Sequence, residues 1–307
     1  MTKSLKISIC VIAIIFLAIG GYLYYSNWKV NIMKIPPKAP VSITGEALSA
    51  IEIKLTWKDS SNNEEGFYLY RNSVLIANIG KNTTKYIDSG LKPATNYSYE
   101  IKAWNQAGES AVTICSSKTL NPPIIVWIDN IGVHDNGEEF LRGLEGEVQV
   151  GIVVTDGINK IQRSLPDKGF YHLKKDEIIQ VNSPIFSTDE VGETLRVFFI
   201  AYEDDGGLGE QIIYKALDIV TKSYLGNPGS LLLTMAGVDF SPLFAEIFGA
   251  EDDLLGTFAS EWNVDNNWGV GKYIDVKCLK DDGDVGLRLW FRIVCPVYDY
   301  SSENSSH

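Results

Sequence analysis

The sequence predicts an all-β protein, with an N-terminal transmembrane helix followed by two β-sandwich domains, the second larger and carrying a helical insertion. Three observations lead there. An uncharged apolar run fills residues 7–25. Beyond residue 40, short segments alternate apolar and polar residues between turn clusters. The 307 residues are too many for one small sandwich and suit two modest domains plus a tether. With 45% hydrophobic and 21% charged residues, each domain can bury a core. The expected organisation is a cytoplasmic N-terminus at 1–6, the helix at 7–25, a linker at 26–39, a sandwich at 40–120, a larger sandwich at 123–300 and a disordered tail at 301–307.

Lys3 and Lys6 precede the apolar run, which is close to the ~20 residues a spanning helix needs. Tyr22, Tyr24, Tyr25 and Trp28 follow at its end, where amphipathic rings favour the membrane interface. A signal-anchor fits, and cleavage of a signal peptide near Ala18-Ile19-Gly20 is the competing reading. Both export residues 40–307. The expected location is the cell membrane, as a single-pass protein with its C-terminal domains extracellular.

In the first sandwich, Ile51, Ile53, Leu55 and Trp57 alternate so that a Trp faces inward. Phe67 and Leu69, with Val74 a further candidate, continue the pattern beyond the polar turn Ser60-Ser61-Asn62-Asn63. Leu55-Thr56-Trp57, Gly66-Phe67-Tyr68-Leu69-Tyr70-Arg71, Leu91-Lys92-Pro93-Ala94-Thr95-Asn96-Tyr97 and Ala103-Trp104-Asn105-Gln106-Ala107-Gly108-Glu109-Ser110 together resemble the fibronectin type III family. The resemblance implies a tyrosine corner, with Tyr97 bonding back to upstream backbone. It does not imply a function, because the same sandwich serves as spacer, adhesion module and receptor ectodomain. A stiff spacer is the plainer expectation.

After Pro122-Pro123, strands are expected at 124–128, 146–154, 194–202, 211–220, 272–279 and 286–294. Residues 194–202 are apolar enough for a central strand buried on both faces, and 231–249 form the one helical excursion, with start signals at Asp239-Phe240-Ser241-Pro242. Acids gather at the strand ends: Asp129, Asp135, Asp156, Glu203 to Asp205, Glu251 to Asp253 and Asp281 to Asp284. Hard oxygen ligands converging from several loops are what calcium requires. Tyr202-Glu203-Asp204-Asp205, Asp253-Leu254-Leu255-Gly256 and Gly286-Leu287-Arg288-Leu289-Trp290 resemble elements of the C2 family of calcium- and lipid-binding sandwiches. Calcium is the cofactor this implies, with Asp135, Glu203, Asp205, Asp252 and Asp253 as candidate ligands. Roughly forty residues separate the two acidic motifs where the family has only a few, and Glu203 stands where an Asp is typical. The competing reading is that acids in turns are simply solvated. Trp262, Trp268 and Tyr273 surround an Asn- and Gly-rich stretch, and such aromatics either close the end of a core or meet a ligand.

The net charge of −12 argues against nucleic acid, which needs clustered Lys and Arg. Cys10, Cys115, Cys278 and Cys295 form no CxxC pair. With Lys280 opposite Val285, Cys278 pairs with Leu287 and lies too far from Cys295 for a disulfide. Free buried thiols are expected. The histidines are three, and no GxSxG elbow, HExxH helix or phosphate loop occurs, so the chain is read as no enzyme; a glycosidase using two carboxylates is a minor alternative. The expected function is membrane-anchored cell-surface binding or adhesion, with a fibronectin-like stalk presenting an acidic sandwich to an extracellular protein or glycan partner. The alternative is a structural scaffold of the cell envelope without a soluble ligand.

Overall fold

The computed structural model describes residues 14–26, 35–134, 146–203, 218, 254–279 and 285–299. The chain divides into two compact units, Met1–Leu120 and Asn121–His307. Among the described residues, no helix is long and apolar enough to cross a membrane, which corrects the expected transmembrane helix. The described helix, α1 (residues 14–26), rises about 20 Å at ~1.5 Å per residue, against about 30 Å of hydrocarbon. Residues 7–13 of the expected span lie outside the described residues.

In the first unit, β1 (Val41–Ala47), β2 (Glu52–Lys58), β3 (Gly66–Arg71), β4 (Val74–Gly80), β5 (Lys85–Ser89), β6 (Asn96–Asn105), β7 (Gly108–Glu109) and β8 (Thr113–Lys118) form two sheets. One runs β1-β2-β5 and the other β4-β3-β6-β7, with β8 also paired to β6. Period-2 alternation decides what lies between them. Ile53, Leu55 and Trp57 of β2 are buried, as are Phe67 and Leu69 of β3 and Tyr99, Ile101 and Ala103 of β6, whereas Val74, a candidate for the same face, is exposed at the start of β4. Trp57 meets Phe67 edge-on at 5.8 Å. The buried Asp88 is paired twice: it accepts from the Tyr99 hydroxyl at 2.8 Å and from Arg71 Nη1 at 2.9 Å. At the crossover, the Lys92 N–H donates to the Tyr97 hydroxyl at 2.8 Å, the corner expected from the sequence. The segment before β1 is tied down rather than loose, since the Ile35 carbonyl accepts from the amides of Asn63 and Asn105.

The second unit contains β9 (Ile124–Val133), β10 (Gly146–Thr155), β11 (Lys160–Leu165), β12 (Tyr171–Leu173), β13 (Ile178–Thr188), β14 (Thr194–Glu203), β15 (Leu254–Asn263), β16 (Tyr273–Leu279) and β17 (Val285–Val294). Hydrogen bonding runs unbroken in the order β11-β10-β14-β15-β16-β17-β9-β13, with β12 on β10. The unit is all-β as expected, but its strands join one nine-stranded antiparallel sheet instead of two separately bonded ones. The sheet curls over its own core. Phe199 on β14 and Phe291 on β17 stand three strands apart, about 14 Å in a flat sheet, yet their ring centroids are 5.3 Å apart. The expected central strand is β14, buried along nearly its whole length between β10 and β15.

The Gly146, Thr194 and Lys272 segments appear within a residue or so of their expected bounds, and Cys278 pairs with Leu287 as the register predicted. Cys115, Cys278 and Cys295 are free, with Cys278 buried and the other two half-buried. The strand expected at 211–220 lies outside the described residues except for Asp218, which is helical. The helical excursion at 231–249 and the turn acids 281–284 also lie outside them.

Candidate functional site

Of the five candidate calcium ligands, Glu203 alone is described: it ends β14 and is buried. Asp135, Asp205, Asp252 and Asp253 lie outside the described residues. Among the described residues, no group of three or more His, Cys, Asp or Glu could hold a metal. Two other acids of the expected loops have local partners. The Asp156 carboxylate caps its own turn, with Oδ1 accepting from the Ile158 N–H at 2.8 Å and the Asn159 N–H at 2.5 Å. Asp129 pairs through Oδ1 with Arg292 Nε at 3.2 Å.

The aromatic stretch after β15 divides. Trp268 is buried and its indole N–H donates to the Gly192 carbonyl at 2.9 Å, while Trp262 is buried with its ring edge-on to Phe291 at 5.9 Å. Both close the core. Tyr273 is 60% exposed and belongs to a different surface.

That surface is the outward face of β16, β17 and β9. On β17, Leu287, Leu289, Phe291 and Ile293 point inward and are fully buried, so Arg288, Trp290 and Arg292 between them point outward. The pairing sets Tyr273, Asp275 and Lys277 of β16 opposite Arg292, Trp290 and Arg288. On the other flank Trp127, Asn130 and Gly132 of β9 lie opposite Arg292, Trp290 and Arg288. Ile128 pairs with Phe291 and Asn130 with Trp290, leaving Asp129 unopposed as a bulge that turns its carboxylate toward Arg292.

Two Asp–Arg–Trp groups result. The Arg288 guanidinium lies 5.0 Å from the Trp290 ring centroid and is held by Asp275, through Nε at 3.3 Å and through Nη2. The Arg292 guanidinium lies 5.4 Å from the Trp127 centroid and is held by Asp129. Each cation–π contact contributes about 0.5–1 kcal/mol at an exposed site. Between them Tyr273 reaches across β17 to accept from Asn130 Nδ2 at 3.4 Å. Gly132 leaves room for Trp290: a Cβ there would sit 3.2 Å from Trp290 Cζ3. The face combines flat rings for apolar stacking with aligned donors and acceptors for hydroxyl or anionic groups. The sequence reading took Gly286 to Trp290 only as a strand resembling a C2 element; the signal it passed over is Arg-x-Trp-x-Arg at period 2 beside buried apolar residues.

No family model matches the chain. Curated proteins that resemble it include the chitinase Chi52 of Paenibacillus xylanexedens, 32% identical over 120 residues, which are 35% of this chain and 22% of that protein. An alpha-amylase of Niallia circulans is 32% identical over 74 residues, 24% of this chain and 6% of that one. A gellan lyase of a Bacillus species is 29% identical over 79 residues, 25% and 3%. The chain thus spans less than a quarter of the length of these relatives. Among solved structures, FN3tt mut is 25% identical with a TM-score of 0.25, covering 27% of this chain and 96% of its own. The fn3 domain of human contactin 1 is 20% identical with a TM-score of 0.26, covering 27% and 78%. The first unit is a fibronectin type III-like β-sandwich. Its own strand order and Tyr97 corner carry that statement. The C2 likeness of the second unit finds no counterpart in these neighbours, and neither the fibronectin-like unit nor its neighbours speak to calcium.

Proposed function

We propose that this chain is a non-catalytic, extracellular carbohydrate-binding protein, in which the fibronectin-like unit is a spacer and the second unit presents the β16-β17-β9 face to a glycan. The observation that carries the reading is the outward row Arg288, Trp290, Arg292 with Trp127 and Tyr273 beside it. Indole and phenol rings offer broad, rigid contact area at low entropic cost, which suits the flat faces of sugar rings. Fixed guanidinium, carboxylate and amide groups around them suit hydroxyls. Relatives whose names denote enzymes acting on polysaccharides fit such an accessory role, as does the absence of a nucleophile–base pair among the described residues of the face.

Retardation of the protein in native gels containing soluble chitin derivatives, starch or gellan tests the reading. Slowed migration that Trp127→Ala with Trp290→Ala abolishes supports it. Migration unchanged by every polymer, with concentration-dependent self-association in sedimentation, would favour the scaffold alternative. Release of reducing ends from any of them would contradict the non-catalytic assignment. Calcium ligation around Glu203 is a separate proposal. A rise in the unfolding midpoint with calcium that Glu203→Gln removes supports it, and a midpoint indifferent to calcium and chelator eliminates it.

A further inference from the structure

Resting on the glycan-binding reading, we infer that the preferred ligand of this face is a carboxylate-bearing polysaccharide, a polymer containing uronic acid residues, gripped by Arg288 and Arg292. Three features of the face point there. The first is charge. Lys277, Arg288 and Arg292 face two carboxylates, Asp275 and Asp129, so the face carries one excess positive charge on a chain whose net charge is −12. An anionic polymer is repelled by the bulk of such a chain and attracted here.

The second is the state of the guanidiniums. Arg292 meets Asp129 through Nε, and its two Nη groups have no protein partner among the described residues, with 44% of the side chain exposed. Arg288 uses Nε and Nη2 on Asp275, which leaves Nη1. Each planar group is already immobilised against a Trp ring and an Asp, so little side-chain freedom remains to be lost on binding. Arg in that condition suits a carboxylate in a way a mobile Lys does not.

The third is spacing. Arg288 and Arg292 are four residues apart on one strand, about 14 Å at ~3.4 Å per residue, with Trp290 between them. Two anion contacts flanking a ring platform fit non-adjacent sugars of one extended chain. The rings beside each guanidinium call for a sugar ring that bears its own charge, as a uronate does, in preference to a phosphate in a linker between rings.

The test uses the full chain in native affinity gels with polygalacturonate, its carboxyl-reduced form and poly(glycerol phosphate). The expected result is strong retardation by polygalacturonate, weaker retardation by the reduced form, and loss of the difference as salt rises. Arg288→Gln with Arg292→Gln should lower affinity for polygalacturonate about tenfold while a cooperative unfolding transition is kept, its midpoint lowered because Asp129 loses its partner, and Arg288→Lys with Arg292→Lys should restore only part of the affinity. Equal retardation by polygalacturonate and its reduced form, stronger retardation by the phosphate polymer, or wild-type binding in the double Gln variant each overturns the inference while leaving glycan binding standing. Retardation by no polymer, these and the neutral ones together, overturns both.

Discussion

The two units each turn an aromatic sheet face outward, and they spend those aromatics differently. On the fibronectin-like unit, Tyr68 and Trp104 stack on one another at 5.3 Å and 11°, and the Trp104 indole donates to Asn78 Oδ1 at 3.2 Å. Lys102 sits 5.6 Å from the Tyr70 centroid and is bonded to Glu109 at 2.9 Å. Ring meets ring and cation meets anion, so the surface satisfies itself. On the second unit each Trp meets a guanidinium instead, and those guanidiniums keep donors in hand. Aromatic content alone therefore does not mark a binding surface. What marks it is the chemistry left over after the surface has paired internally.

Substitutions that disturb internal pairing should cost stability, and substitutions of the leftover chemistry should cost binding. The largest effect is expected inside the fibronectin-like core. Asp88→Ala strands Arg71 and the Tyr99 hydroxyl, and the first unit's denaturant transition should lose about 3 kcal/mol while glycan retardation is unchanged. Next comes Trp127→Ala, which removes both a ring and the bed of Arg292; affinity should fall about tenfold or more with little change in unfolding. Gly132→Ala pushes on Ile178 and on the Trp290 ring and should reduce affinity by a smaller factor than Trp290→Ala, an order that titration of the three proteins would check. A reversal of that order would mean that Trp290 is not held where its contacts place it.

The smallest effects are expected from pH, and they fall on both units alike. Burial raises the Cys278 thiol well above its ordinary value of 9.0. Burial, then the hydrogen bond to Asp88, raises the Tyr99 phenol well above 10.0. Above those ordinary values the unfolded chain releases protons that the folded chain retains, so stability is full below pH 9 and declines as pH rises past 9 to 10. Alkylation in the folded state should be slowest at Cys278, followed by the half-buried Cys115 and Cys295; mass spectrometry of a timed reaction reads this directly. Fast labelling of Cys278 would contradict its burial.

Much of the first unit was legible because each of its features is local. Alternation set the inner face of β2, and the Leu91 to Tyr97 stretch carries the corner in a single run of residues. The register of Cys278 with Leu287 followed likewise from one hairpin. The span expected at 7–25 is not supported, because its described part lies on α1, which is too short to cross a bilayer. In the second unit β11, β12, β13 and β15 were missed: β11 and β12 are short, β13 alternates along Ile178 to Thr188 with a Pro at 184, and the opening of β15, Leu254-Leu255-Gly256, read as part of an acidic loop motif. The binding face was harder still. Trp127, Asp129 and Arg292 come together only through the pairing of β9 with β17, more than 150 residues apart in the chain, and the bulge at Asp129 leaves no mark in an alternation pattern.

The most direct test of the account is to compare Trp127→Ala/Trp290→Ala with Tyr68→Ala/Trp104→Ala for retardation by one polysaccharide that slows the wild-type protein. The account predicts that the first pair migrates as if the polymer were absent, while the second pair remains as slow as wild type. Loss of retardation in the second pair with the first pair unaffected would place the ligand on the fibronectin-like unit and contradict it.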